Sequence, residues 1–366
     1  MMKMRASLSF LCLLSFFVFE LSAQVRWQKV TDFDGHINTD VSALCRVADS
    51  TVSYLKLGKA YDSEVNTIGT IKGMAVDLKR VKETLNYVCE LAAKGEQTLS
   101  DPAFIRRHFE LYKFRPDLES ARQLANKKSL YRHVSESHLV MTKYYVRRGK
   151  GSETPTSAQP YALYGLPFDE AELSIEMAQT KRALLTRFQY TKQKVLQGLL
   201  STHRLAPPLV WLSREDMEAA LMQGTIVVEV AGALRTFNVH RSNEIPYDKK
   251  IKPYQQQRYW YFKEVEAVLG YGKDAEHKIH IEPYVTFAGD LKQLGLGKLL
   301  MVNFAEGEEA SELRLGILAD TGGAFNDNLF QLDYLTGYYA SYAEYHNKNK
   351  HLPDAVQVYM LLKKPS

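Results

Sequence analysis

Several familiar chemistries have no carrier in this chain of 366 residues. It has no phosphate-binding P-loop, no Gly-x-Gly-x-x-Gly run for a dinucleotide and no Gly-x-Ser-x-Gly nucleophile elbow. Only three cysteines occur, and His203, His240, His277 and His280 lack the spacing of metal ligands, so no tetrahedral zinc set can be assembled. No Lys/Arg block is dense enough to indicate nucleic acid, although the formal net charge is +5. That mild excess reads as a solvated basic surface or a leaning toward an anionic polymer. No internal repeat, low-complexity tract or bilayer-length apolar run is present. With 45% hydrophobic and 24% charged residues, the composition is that of an ordinary globular protein, and the length allows two or more domains.

The amino terminus is patterned. Lys3 and Arg5 precede an apolar run over residues 8–19, and Leu21-Ser22-Ala23 follows. A charged start, a short apolar stretch and a small-residue site predict a signal peptide over residues 1–23, removed on export, with the mature chain starting near Gln24 and no membrane span in it. Ser9-Phe10-Leu11 before Cys12 is not the small-residue box of a lipoprotein, so no lipid anchor is expected. Cys45 and Cys89 remain; an oxidising compartment allows them to pair, and two buried free thiols fit equally well.

Residues 41–130 read as mostly helical. Leu85, Val88, Cys89 and Ala92 recur at helical spacing, and Asp101-Pro102 looks like a cap opening a helix over 103–112. Residues 139–146 are β-branched and aromatic, hence a strand, followed by a polar loop over 149–159. A long helix is expected over 169–200, with Leu184, Leu185, Phe188 and Val195 on one side. β signals then dominate: a hairpin of 225–230 with 236–239 about Ala231-Gly232-Ala233, and strands near 259–262, 284–287, 298–303 and 313–319. The order of signals implies an α+β protein.

The sharpest chemical signal is Asp320-Thr321-Gly322-Gly323-Ala324, followed by Asp333-Tyr334-Leu335-Thr336-Gly337. A strand ends at an aspartate, two glycines allow a tight turn and close ligand approach, and a second aspartate follows. Two carboxylates held close suit acid/base work, since one charge raises the pKa of the other. Taken alone, Asp before Gly is also a common turn. An aspartic protease would need two Asp-Thr-Gly triplets, and there is one.

The segment resembles the carboxy-terminal signature of the MltA-type lytic transglycosylases, Asp-x-Gly-Gly-Ala-Ile-Lys-Gly followed by Asp-x-x-x-Gly. Asp320, Gly322, Gly323 and Ala324 match its first part, Asp333 and Gly337 its second. Asn326-Asp327 replaces Lys-Gly, and the gap to Asp333 is longer. Upstream, Met141-Thr142-Lys143-Tyr144-Tyr145 with Pro160-Tyr161-Ala162-Leu163-Tyr164 resembles the family's Thr-Gly-Tyr-Tyr…Tyr-Pro-Leu-Tyr segment, with Lys143 in place of glycine. Gln223-Gly224-Thr225-Ile226 resembles its Gln-Gly-Ser-Gly motif, and Tyr259-Trp260-Tyr261-Phe262 its Tyr-x-Phe-Phe stretch, whose rings stack on sugars or pack in a core.

The resemblance implies a double-psi β-barrel built from 104–150 and 278–366, a smaller β-rich domain inserted over 151–273, and a helical region over 24–103. It implies a periplasmic enzyme that cuts peptidoglycan glycan strands between N-acetylmuramic acid and N-acetylglucosamine, leaving 1,6-anhydro ends, with no metal or organic cofactor. Asp333 would be the acid/base, Asp320 its neighbour, and Thr142, Tyr144, Gln223, Gly224, Gly322 and Gly323 would bind glycan. A silent peptidoglycan binder and an expansin-like or hydrolytic relative are the competing readings.

Overall fold

A computed structural model describes residues 26–63, 76–95, 97–126, 128–304, 311–325, 328 and 330–365. The expected signal peptide and the Asn326-Asp327 departure lie outside the described residues.

Two helices cover one side. Helix α1, Val41–Tyr61, starts where the Asp40 side chain accepts from Ala43 N, and buries Val41, Leu44, Val47, Ala48, Thr51, Val52 and Leu55. Helix α2, Leu78–Ala92, is capped by Asp77 and buries Val81, Leu85, Val88 and Leu91. Cys45 and Cys89 form a disulfide between them, which settles the open pairing question. A closed loop of this size, 44 residues in separation, restricts the unfolded chain by about 4 kcal/mol.

Fourteen strands, with shorter helices and turns between them, follow among the described residues. They are β1 Arg26–Val30, β2 His36–Ile37, β3 Phe109–Arg115, β4 Leu139–Ser152, β5 Tyr161–Tyr164, β6 Pro208–Leu212 and β7 Thr225–Val230. There follow β8 Ala233–Ser242, β9 Trp260–Val265, β10 Thr286–Gly289, β11 Leu299–Asn303, β12 Glu312–Asp320, β13 Gln331–Tyr339 and β14 Ala355–Lys363. The chain is thus α+β. Pairing runs β14-β11-β12-β10-β13-β4, and β4 also pairs with β14, so these strands form a closed ring of neighbours. Within it β10–β12 and β13–β4 are parallel.

The chief apolar core lies between this ring and α1 and α2. Two further clusters, one around Val210, Ile226, Val228 and Phe237 and one around Tyr164, Val195, Leu200 and Tyr259, belong to a second lobe formed by 161–265. Strand β4 joins the lobes. It pairs with β13 at one end and with β7 and β6 at the other. No helix among the described residues is long and apolar enough to cross a membrane.

Three expectations are corrected. The helix opened by Asp101 stops at His108, where the chain continues as β3 with Phe109 and Leu111 buried at alternate positions. The long helix over 169–200 is instead short turns, Ile175–Thr180, Thr186–Phe188, Lys192–Leu196 and Leu199–Thr202. Fresh caps at Ser174 and Thr191 and a left-handed Gly198 interrupt it, and Leu184 is 81% exposed, so no continuous apolar face exists. Finally, β4 runs on to Ser152 through residues expected to be loop. The 225–239 hairpin forms as anticipated, with Ala231 and Gly232 both at positive φ (50° and 84°), the geometry of a type I′ turn.

Candidate active site

Strand register, more than the Gly-Gly turn, brings the two carboxylates together. Asp320 pairs with Ala288, Ala288 with Asp333, and Asp333 with Thr142, so the four lie in one row across β12, β10, β13 and β4. The residue between the acids is an alanine, whose small side chain leaves space above it.

That row opens into a cavity of about 620 Å³ between the ring and the second lobe. Asp320, Asp333, Tyr144, Gly322 and Gly323 line it from the ring, Gln223 and Gly224 from the second lobe. Thr142 is not among the lining residues; its hydroxyl accepts from Gln331 Nε2 at 2.6 Å and donates to Leu332 O at 3.3 Å, beside Asp333.

The acids have unequal surroundings. Asp320 accepts from the Tyr144 hydroxyl at 2.8 Å and from Thr321 N at 2.8 Å. Burial pushes its pKa up to about 6, held back by these donors and by the nearby Lys278 charge. Asp333 has a buried Oδ1 with no hydrogen-bond partner. Burial pushes its pKa up to about 7; Thr142 and Lys143 oppose the rise, and the Asp320 charge adds to it. The two differ in surroundings: donors favour the Asp320 anion, while burial and the Asp320 charge favour a proton on Asp333.

On the second-lobe side, the helix Arg214–Gln223 ends at Gly224, whose left-handed φ of 80° reverses the chain into β7. Gln223 Oε1 accepts from Arg147 N at 2.9 Å, which fixes the side chain at the cleft. Gly322 and Gly323 do not use glycine's special φ, and a Cβ on Gly323 would meet nothing within 4 Å. The chain does turn tightly here, in a 3-10 turn with Phe325 N donating to Gly322 O at 3.0 Å, and the two glycines add open space toward the cavity. The Tyr259–Phe262 rings divide: Tyr259, Tyr261 and Phe262 are buried core, and Trp260 lies under Arg258, away from the cavity.

Sequence reasoning missed Ala288, Asn238, Lys278 and Tyr345, all of which line the cavity. Tyr345 stacks on Tyr145 with ring centroids 4.6 Å apart. Among the described residues, Asp274, Glu276 and His277 lie close enough together to hold a metal ion. They are not in this cavity, and Glu276 is paired with Lys263 and His277 with Asp274.

No protein-family model matches the chain, and no curated protein matches it in sequence. Solved structures do match in shape. A membrane-bound lytic murein transglycosylase from Agrobacterium tumefaciens superposes with a TM-score of 0.56 at 14% identity, over 89% of this chain and 93% of that one. MltA from Neisseria gonorrhoeae gives 0.54 at 17% identity, over 88% and 89%. E. coli MltA with bound chitohexaose gives 0.54 at 14% identity, over 93% and 95%. The chain has the MltA fold. At these identities the likeness is one of architecture, and it extends over most of both chains.

Proposed function

We propose that this chain is a lytic transglycosylase of peptidoglycan, that its ring of strands is a double-psi β-barrel formed by 104–150 and 278–366, and that 151–273 is an inserted substrate domain. The reading rests above all on Asp333: a carboxyl with its Oδ1 unpartnered, facing a cleft of glycan size in the MltA fold.

In the proposed reaction Asp333 gives its proton to the oxygen joining muramoyl C1 to the N-acetylglucosamine O4. The C1–O4 bond breaks, and positive charge develops at C1. The muramoyl O6 hydroxyl closes on C1 and its proton passes to the Asp333 carboxylate, which restores the acid. One bond breaks, one forms, and no water enters. Asp320, ionised first, keeps the proton on Asp333 and offers negative charge to the developing cation. Gln223 presents an amide to sugar hydroxyls, and Thr142 acts through Asp333 rather than on the glycan. The substrate is reached by export, with residues 1–23 as the signal peptide and the periplasm as destination.

The test is digestion of purified sacculi. Anhydromuramoyl ends are expected from the unaltered protein, and Asp333→Asn should lower their formation by about 100- to 10,000-fold while staying folded. Reducing ends would indicate hydrolysis instead, and unchanged glycan a silent binder.

A further inference from the structure

Lys278 belongs to none of the sequence motifs, yet it reaches the cavity beside Asp320. Its segment returns the chain from the second lobe to the ring, and the approach is tight. A Cβ on Gly270 would meet Ala319 O at 2.7 Å, and one on Gly272 would meet the Lys278 Cα at 2.7 Å. Helix α1 holds the segment from behind. Tyr271 donates to Asp62 Oδ2 at 2.9 Å, Lys273 to Tyr61 O at 2.8 Å, and His280 N to Ser50 Oγ at 2.8 Å.

The Lys278 ammonium donates to Asn238 Oδ1 at 3.1 Å and Val239 O at 3.3 Å, and Asn238 donates in turn to Thr225 Oγ1. All four residues line the cavity. An ammonium has three donors, so one is left over. No carboxylate lies within ion-pair distance of it among the described residues. A half-buried cation resting on neutral acceptors is costly to keep. Burial lowers its pKa only to about 8, so it stays charged at neutral pH.

We propose that Lys278 is a glycan-binding residue of the cleft, donating its remaining N–H to a carbonyl or carboxylate oxygen of the sugar seated beside Asp320. This rests on the cleft being a glycan site. The Asp320 anion repels an acceptor oxygen there, and Lys278 is a cation on hand to offset it.

The experiment measures binding by calorimetry to Asp333→Asn, which holds glycan without cutting it, with and without Lys278→Met. The ligands are chitohexaose and peptide-stripped glycan strands bearing the muramoyl lactyl carboxylate. Loss of a charged hydrogen bond should raise Kd on the order of tenfold or more, and Lys278→Arg should recover part of it. An equal loss with both ligands assigns the oxygen to groups they share; a larger loss with the muramoyl strands assigns it to the lactyl group. Should Lys278→Met unfold, Lys278→Gln, which keeps a donor for Asn238, carries the same comparison. Undiminished binding of both ligands by a folded Lys278 variant overturns the proposal and leaves the proposed activity standing. If Asp333→Asn binds neither ligand, the proposal also falls, and sacculus digestion by the unaltered protein decides the activity separately.

Discussion

In the second lobe, Glu170 is fully buried and accepts from Arg187 Nε at 2.7 Å and from Arg241 Nη1 at 2.9 Å. Lys192 is likewise buried against Glu218 at 2.7 Å. On the ring, Asp333 is also withdrawn from water, but its Oδ1 meets no donor. The second lobe pairs its buried charges with one another and gains a fixed geometry; the ring leaves one oxygen of Asp333 without a donor and gains a proton that can be moved. Buried charge set against opposite charge marks architecture here, and a buried carboxyl oxygen without a donor marks the cleft.

The largest effect expected from breaking this contrast is at Glu170. Glu170→Gln strands Arg187 and Arg241 inside the lobe and should cost about 3–5 kcal/mol, read as a fall in denaturation midpoint. An unchanged midpoint would mean that the network is not structural.

The Asp333 counterpart should move stability the other way. Its folded pKa is raised from an ordinary 3.8 to about 7, so its contribution is full below pH about 4 and is lost as pH rises through about 7. Asp333→Asn removes that loss. The variant should melt several degrees above the unaltered protein at pH 8 and with it at pH 4. Equal melting at both pH values would remove the electrostatic argument for Asp333. By the same titration, activity should fall as pH rises through about 7.

The smallest effect concerns Thr142, whose hydroxyl stabilises the Asp333 anion. Thr142→Val should shift the falling limb of the pH–rate profile upward by a fraction of a unit. A downward shift would contradict the placement of that hydroxyl.

How much of this was legible in the sequence depended on range. Local signals carried well: the cap at Asp101, the 225–239 hairpin and the β-branched run that became β4. The segment 169–200 misled because its composition is helical while its frame is set by the buried Arg187–Glu170 pair and by Gly198. Asp320 and Asp333 were visible as residues, but their relation was not. It is fixed by β10, a strand that precedes both in sequence and enters between theirs with Ala288 at the crossing point. Lys278 was illegible for a similar reason: a single lysine acquires meaning only when Gly270 and α1 press its segment against Asp320.

Strand β4 has a mechanical consequence. One uninterrupted length of backbone places Thr142 beside Asp333 at its start and hydrogen-bonds Gln223 through Arg147 five residues on. The two banks of the cleft are thus indexed to a common ruler, and no flexible tether lies between them at this crossing. The span from the proton on one bank to the amide on the other is set by residue count, about 3.3 Å for each residue of strand. Inserting or deleting one residue between Thr142 and Arg147 would put the banks out of step and turn every later side chain of the strand to the opposite face.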